Sequence, residues 1–404
     1  MSAKDNGQRE TAVYFFIKIL LLLLFLTDAF SGKSYGQMHM HMQQTTQPML
    51  PITAKSNEAT KEQLADARAE GDSVNKCMNW VLRQPGNVSG QMRAGEYKIV
   101  YAFGAPEGWY AYSNHAVTWQ GPAGDAHLWL FVLDGADGRV VPTLDIEASV
   151  TNANGAVTDD KKIPFAWTPL INGYGNNIKL SGEGNYTIKL GIAPPTFHRH
   201  DPYNGDRFTK HTAAIIPVSI TQDLTKNKPL SELMEAEQGL AKLPGDAYTH
   251  TLKDMYKQAT DGKDQVVGDY FVACAIEYAE GWWLYKGDQF RYASENDMSG
   301  KTNGHLEVAV CDAKTIRFLP DLDVTATVLD DRGNKVGTMN EPFMWHPWLY
   351  HYGENWRVPK TGHYKVHVHF EPPSYRRYGK TYGKQFTKPE DLDFDDMVIK
   401  TGQK

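Results

Sequence analysis

Two stretches of this chain alternate apolar and polar residues with a period of two. In Gly362–Phe370, Tyr364, Val366, Val368 and Phe370 share one face, and His363, Lys365, His367 and His369 share the other. In Gly184–Ile192, Tyr186, Ile188, Leu190 and Ile192 alternate in the same way with Asn185, Thr187, Lys189 and Gly191. This is the pattern of a half-buried strand. The two stretches lie 178 residues apart, and so do His127-Leu128 and His305-Leu306, Pro164-Phe165 and Pro342-Phe343, and Tyr174-Gly175 and Tyr352-Gly353. Pro194-Pro195 and Pro372-Pro373 keep the same spacing, as do Phe208-Thr209-Lys210 and Phe386-Thr387-Lys388. Upstream, GEYKIVYAF at Gly95–Phe103 answers GDYFVACAI at Gly268–Ile276, and EGWY at Glu107–Tyr110 answers EGWW at Glu280–Trp283, now 173 apart. One register held over so long a span marks an internal duplication.

Each repeat reads as short strands between turn signals, so the expected fold is all-β: two tandem immunoglobulin-like β-sandwich domains of about 120 residues each, joined by a short helical linker. The boundaries fall at 91–223 for the first sandwich and 263–404 for the second. The linker, 224–262, carries Leu230, Leu233, Met234 and Leu240 at helical spacing, with Pro244-Gly245 expected to separate two helices. Ahead of the first sandwich, 37–90 holds a Met/His-rich tail and a short helix predicted over Asn57–Arg68.

Residues 1–36 read as an export signal, with Lys4 and Arg9 before the apolar run Val13–Leu26. The expected location is therefore the periplasm, with a retained signal anchor as the alternative. A cut after Gly36 would leave Gln37-Met38-His39 at the front. A free amine with histidine third chelates Cu(II), and His41 and the neighbouring methionines would add to that capacity. A plain polar tail is the other reading. GKSYG at Gly32–Gly36 matches a nucleophile-elbow pattern but lies in the signal region, without a strand-turn-helix context. The net charge of −6, with no basic run, excludes nucleic acid as a partner. Cys77, Cys274 and Cys311 contain no CxxC; Cys274 with Cys311 is one disulfide option, and three buried thiols are the other.

The chemistry concentrates in Glu341–Asn355, EPFMWHPWLYHYGEN, where Pro342 and Pro347 block a regular helix or central strand. Met344 and His351 sit in it seven apart. On a strand upstream, His305 and Glu307 are two apart and so share a face. A thioether with imidazoles suits copper, and a carboxylate widens the set toward Fe2+ or Mn2+. The outward histidines His363, His367 and His369 and the acidic run Glu390–Asp396 are expected to be solvated surface. His346 is expected to be a loop residue. There is no HExxH, P-loop or dinucleotide fingerprint, which argues against an enzyme.

The second repeat resembles the bacterial periplasmic iron-transport accessory family through His305-x-Glu307, Met344 seven before His351-Tyr352-Gly353, and TGHYKVHVHFEPPS at Thr361–Ser374. The first repeat resembles it through GYGNN at Gly173–Asn177, GNYTIKLGIAPP at Gly184–Pro195 and Arg199-His200. The resemblance implies a copper-binding immunoglobulin-like fold, dimeric in the family, that serves ferrous-iron uptake beside an inner-membrane iron permease. Here the dimer becomes a pseudo-dimer in one chain. Position by position, the resemblance implies metal ligands at His305, Glu307, Met344 and His351. The family's last histidine falls at His200 in the first repeat and at Tyr378 in the second. The first repeat has Trp129, Ala166 and Gly173 where the second has Glu307, Met344 and His351, so its site is expected to be degenerate. Two arrangements follow. Either the second repeat is self-contained, with Tyr378 or water in the vacancy, or the first repeat lends His200 (or His198) across the interface. The self-contained form is the expectation, because a sequence carries no inter-domain geometry. The functional expectation is a non-enzymatic copper-binding protein assisting iron uptake or periplasmic metal handling. The alternatives are a copper-dependent oxidoreductase acting on iron valence and a cell-surface binding module with a vestigial site.

Overall fold

The computed structural model describes residues 58–113, 116–203, 205–286, 289–294 and 302–401. The signal region and the tail with His39 and His41 lie outside the described residues. Each repeat is a sandwich of a four-stranded and an eight-stranded sheet. In the first, the small sheet runs Thr212–Ile220, Gly184–Ile192, Ile146–Asn152, Val157–Lys162. In the second it runs Lys335–Glu341, Val324–Leu329, Gly362–Phe370, Glu390–Ile399. The alternating strands lie here, with Tyr186, Ile188, Leu190 and Ile192 buried in one and Tyr364, Val366, Val368 and Phe370 in the other.

The large sheets contain a different kind of strand. Ala126–Asp134 and Gly304–Asp312 are buried at every position. Leu128, Leu130 and Val132 join the sandwich core, whereas Trp129, Phe131 and Leu133 point the other way, into a cluster with Val74, Cys77, Met78 and Val81. Those four belong to the helix Lys61–Leu82, whose apolar residues recur at three- and four-residue steps. A sheet covered on both faces loses its alternation and reads as a continuous apolar run.

That helix is longer than the segment predicted over Asn57–Arg68. Thr60 caps it, accepting from the Gln63 amide at 3.2 Å while Gln63 Oε1 accepts from the Thr60 amide at 2.8 Å. Between the sandwiches lie a short helix Leu230–Met234 and a long one Gln238–Gln258. Pro244 sits inside the long helix instead of ending it. A proline there leaves the carbonyl four residues back without its helical donor; Leu240 O instead faces Cys77 Sγ at 3.6 Å. Cys77, Cys274 and Cys311 are all free and buried.

The two eight-stranded sheets exchange strands. In the first, Arg376–Tyr378 from the second repeat lies between Phe165–Trp167 and Trp109–Ser113. In the second, His198–Arg199 from the first repeat lies between Phe343–Trp345 and Trp282–Lys286. The Pro-Pro pairs sit just before these segments. Prolines cannot donate to a ladder, so each chain leaves its own sheet there and joins the other. Buried arginines tie the exchange. Arg199 Nη2 donates to Pro195 O at 2.7 Å, and Arg377 Nη1 donates to Phe386 O at 3.1 Å. Arg139 of the first repeat donates to His346 O and Pro347 O of the second, at 3.1 and 3.0 Å.

On the outer face, His367 and His369 pair with Asp393 and Asp391 of the facing strand at 2.8 and 3.0 Å, and His363 with Asp396 at 2.6 Å. The outward histidines and the acidic run are thus one exposed ladder.

The helices come against the sheets through glycine. A Cβ on Gly245 would fall 1.6 Å from Thr315 O, whereas one on Gly191 would meet nothing within 4 Å. Gly245→Ala is therefore expected to destabilise the protein by about 1–3 kcal/mol or more, with Gly191→Ala as the near-neutral control. Urea unfolding midpoints measure both.

Candidate metal centre

His305 and Glu307 stand on Gly304–Asp312, opposite the face that fills the sandwich core. Asn355 faces His305 and Gly353 faces Glu307 on the neighbouring strand Tyr350–Trp356. Met344 pairs with His351 across the next strand step. Gly353 is required here, because a Cβ on it would lie 2.9 Å from His305 Nε2. The fourth direction is closed by the exchanged strand. His198 pairs with Met344 and Arg199 with Trp345 in parallel register, and the His200 amide donates to Trp345 O at 3.0 Å. This carries the His200 ring over the site.

The resulting cluster is tight. His200 Nε2 lies 3.0 Å from Met344 Sδ, His305 Nε2 lies 3.5 Å from His351 Nε2, and His351 Nε2 lies 3.6 Å from Glu307 Oε1. Ligand atoms of His200, His305 and His351 all fall within 4.8 Å of one another. All three rings and Met344 are fully buried. Burial disfavours the charged imidazolium. It lowers His305 to about 4 and holds His351 and His200 well below the usual histidine value, with the neighbouring rings adding repulsion for these two. Asn355 fixes the tautomer of His305: its Oδ1 lies 3.0 Å from His305 Nδ1, and its amide is held by the Glu280 backbone on both sides, at 3.1 and 2.7 Å. With Nδ1–H donated to Asn355, Nε2 carries the lone pair. Neutral ring nitrogens facing each other beside a sulfur are lone pairs in want of a cation, so the residues fit a soft or borderline metal.

The structure thus draws together His305, Glu307, Met344 and His351 and adds His200 from the other repeat. It does not place Tyr378 in this cluster. Tyr378, expected in the vacancy of the second repeat, lies in the first, with its ring 5.2 Å from His127 and 4.5 Å from Trp129. Strand exchange is the reason: each repeat's last ligand position is delivered to the other repeat. The first repeat keeps His127 hydrogen-bonded to Asn177 at 2.7 Å, but Trp129 and Tyr378 fill the space that Glu307 and His200 occupy in the second. His198 stacks on Trp282, centroids 5.8 Å apart, on the rim. His346 is more than a loop residue, since its ring lies 5.0 Å from that of His200. Sequence reasoning passed over Asn355, Glu280 and Glu58. A signal was present for two of them: Asn177 and Asn355 are twins, and Glu280 stands in the repeated EGW.

A family model described as Fe2+ transport protein matches residues 134–218 and 288–396. Among solved structures the chain is similar to a copper-bound variant of FetP from uropathogenic Escherichia coli, at 20% identity and TM-score 0.29, over 33% of this chain and 97% of that one. It is also similar to FetP as isolated after expression in the periplasm, at 20% identity and TM-score 0.28, over 33% and 93%. A copper-bound variant of Campylobacter jejuni P19 aligns at 18% identity and TM-score 0.29, over 33% and 96%. No curated protein sequence matches the chain. No helix among the described residues is long and apolar enough to cross a membrane.

The buried rings give a pH dependence with a definite sign. Unfolded histidines take up a proton near pH 6.5, whereas burial holds His127 to about 3 and His198 and His305 to about 4. Between about 4 and 6.5 the unfolded state binds more protons, so stability rises with pH. Burial also raises the carboxyls of Glu70 and Glu107 to about 7, and these act in the opposite sense between about pH 4.5 and 7, so the histidine contribution is read as a difference: metal-free His127→Gln should gain melting temperature relative to the parent as pH falls from 6.5 toward 4. A difference that stays constant across that window would contradict a neutral buried ring at His127.

Proposed function

Because the chain belongs to the family described as Fe2+ transport protein, we propose that it is an exported copper-binding protein assisting ferrous-iron uptake beside an inner-membrane iron permease. The observation that carries the reading is the buried convergence of His200, His305, His351 and Met344. Three imidazoles and a thioether form a nitrogen–sulfur set that favours copper over the oxygen-preferring cations. Glu307, against His351, supplies a carboxylate at the edge of the set. Copper would bring a centre able to hold either Cu(I) or Cu(II). The chain's own part is to present neutral rings, with His305 held in one tautomer by Asn355, and to keep water away, with Trp282 beside the rings of His200 and His305. The role is binding and handling, and iron is cargo. The working unit is the whole duplicated chain, since the site draws on both repeats.

Copper titration tests the proposal. The full chain should bind one tight equivalent at the buried cluster, and His305→Ala with His351→Ala should abolish it. His200→Ala should weaken it by about 100-fold or more, and Asn355→Ala by about 10–100-fold, the range for a residue that orients a ligand. Tyr378→Phe should leave it unchanged. Copper binding that depends on Tyr378 and not on His200 would contradict the proposed ligand set, and so would no copper binding at all.

A further inference from the structure

The outer face of the second sandwich carries a group of side chains that the buried cluster does not use. On Gly362–Phe370, His367 and His369 are two apart and so stand on one face. The edge strand Glu390–Ile399 sets Asp393 opposite His367 and Asp391 opposite His369. Asp391 Oδ1 lies 3.2 Å from His367 Nε2 and 3.0 Å from His369 Nδ1, so one carboxylate oxygen meets both rings. The other nitrogen of each ring also meets a carboxylate. His367 Nδ1 lies 2.8 Å from Asp393 Oδ1, and His369 Nε2 lies 3.4 Å from Glu371 Oε1.

A neutral imidazole has one N–H and one lone pair. With carboxylate oxygens at all four ring nitrogens, each neutral ring turns its lone pair toward a negative oxygen. A bound cation or a second proton removes that repulsion. The two imidazoles are 37% and 36% exposed and Asp391 is 62% exposed, so an ion reaches them from solvent without any opening of the fold.

We propose that His367 Nε2, His369 Nδ1 and the Asp391 carboxylate form a surface site for a borderline divalent cation of the Zn2+ class, with water completing the coordination. Two imidazoles and a carboxylate with an open fourth position are a donor set that zinc accepts, and imidazole ligands favour it over Mg2+ and Ca2+. Asp393 and Glu371 then accept the N–H on the far nitrogen of each ring, which is how a ligating histidine is commonly oriented. His363 stands apart from the site. It pairs with Asp396 at 2.6 Å, and Lys365, tied to Asp393 and Asp395 at 3.2 and 2.8 Å, lies between it and His367 in the chain.

The duplicated half shows that the fold does not require these residues. Lys189, Gly191, Ala193, Ala213 and Ile215 stand where the second repeat has His367, His369, Glu371, Asp391 and Asp393. The strand pairing is nevertheless the same, with Lys189 opposite Ile215 and Gly191 opposite Ala213. All five positions of the site thus differ on an identical frame. The site lies on the four-stranded sheet, with the whole sandwich between it and the buried cluster, and the inference does not rest on the copper reading.

The test dialyses the full chain and a His367→Gln/His369→Gln variant against Zn2+ and counts the bound metal. The parent should hold one more Zn2+ than the variant, a difference that is independent of what the buried cluster takes up. Asp391→Asn should weaken that equivalent at least tenfold, and His363→Gln should leave it unchanged. In the parent itself, Zn2+ should shift the ring NMR signals of His367 and His369 before those of His363, a readout that needs no variant. Equal counts in parent and double variant, as rings that merely carry a second proton would give, overturn the site. So do unmoved ring signals, Asp391→Asn binding as the parent does, or a loss in His363→Gln as large as in the double variant, which would mean an adventitious coating of surface histidines.

Discussion

The buried cluster of three imidazoles and a thioether depends on one short strand crossing between the sandwiches. His198–Arg199 contributes only two residues of ladder, too little to hold a ring in place by itself. It is held because it is central, with Met344 and Trp345 on one side and Trp283 on the other, and because Arg199 is buried against the Phe290 ring at 3.9 Å. One nitrogen of each guanidinium is bonded to backbone carbonyls, Arg199 Nη2 to Pro195 O and Arg377 Nη1 to Pro373 O and Phe386 O, while the other two nitrogens of each make no hydrogen bond among the described residues. Each sandwich is therefore incomplete without a piece of the other. In an ordinary homodimer such an exchange would be isologous and would make two equal sites.

Fusion removes that equality. Once the two halves are separate stretches of one gene product, each can change alone, and the two sites have diverged in opposite directions. The second kept its imidazoles, thioether and carboxylate, and it receives a histidine from the first. The first received a tyrosine in return and filled the remaining space with Trp129. His127, Trp129 and Tyr378 now pack as rings, within 4.3 to 5.2 Å of one another. The scaffolding around both is unchanged: Asn177 and Asn355 make the same contacts to histidine and to the glutamate backbone, and Gly175 and Gly353 give way to the same imidazole.

Much of the architecture was legible because it is local. Alternation over nine residues identifies the outer strands, and a constant offset identifies the duplication. The shared face of His305 and Glu307 follows from pleat geometry alone. The long helix Lys61–Leu82 was harder to see, since Gly71, Asp72 and Asn75 dilute its periodicity and only packing on the sheet extends it. Pro244 looked like a break because its missing donor is visible in the sequence, whereas the contact from Cys77 to the bereft carbonyl is not. The crossing of His200 was open as an alternative but not favoured. Two residues carry no period, and which sheet they join is decided by tertiary contacts. Glu58 stood in a polar stretch with nothing to distinguish it.

The central claim is that one metal centre is assembled from both repeats. A crystal of the full chain grown with copper, with anomalous scattering recorded at the copper edge, addresses it most directly. The account predicts a single buried peak bounded by His200, His305, His351 and Met344, with Tyr378 remote from it. A peak enclosed by second-repeat residues alone, or one lying beside Tyr378 and His127, would contradict it.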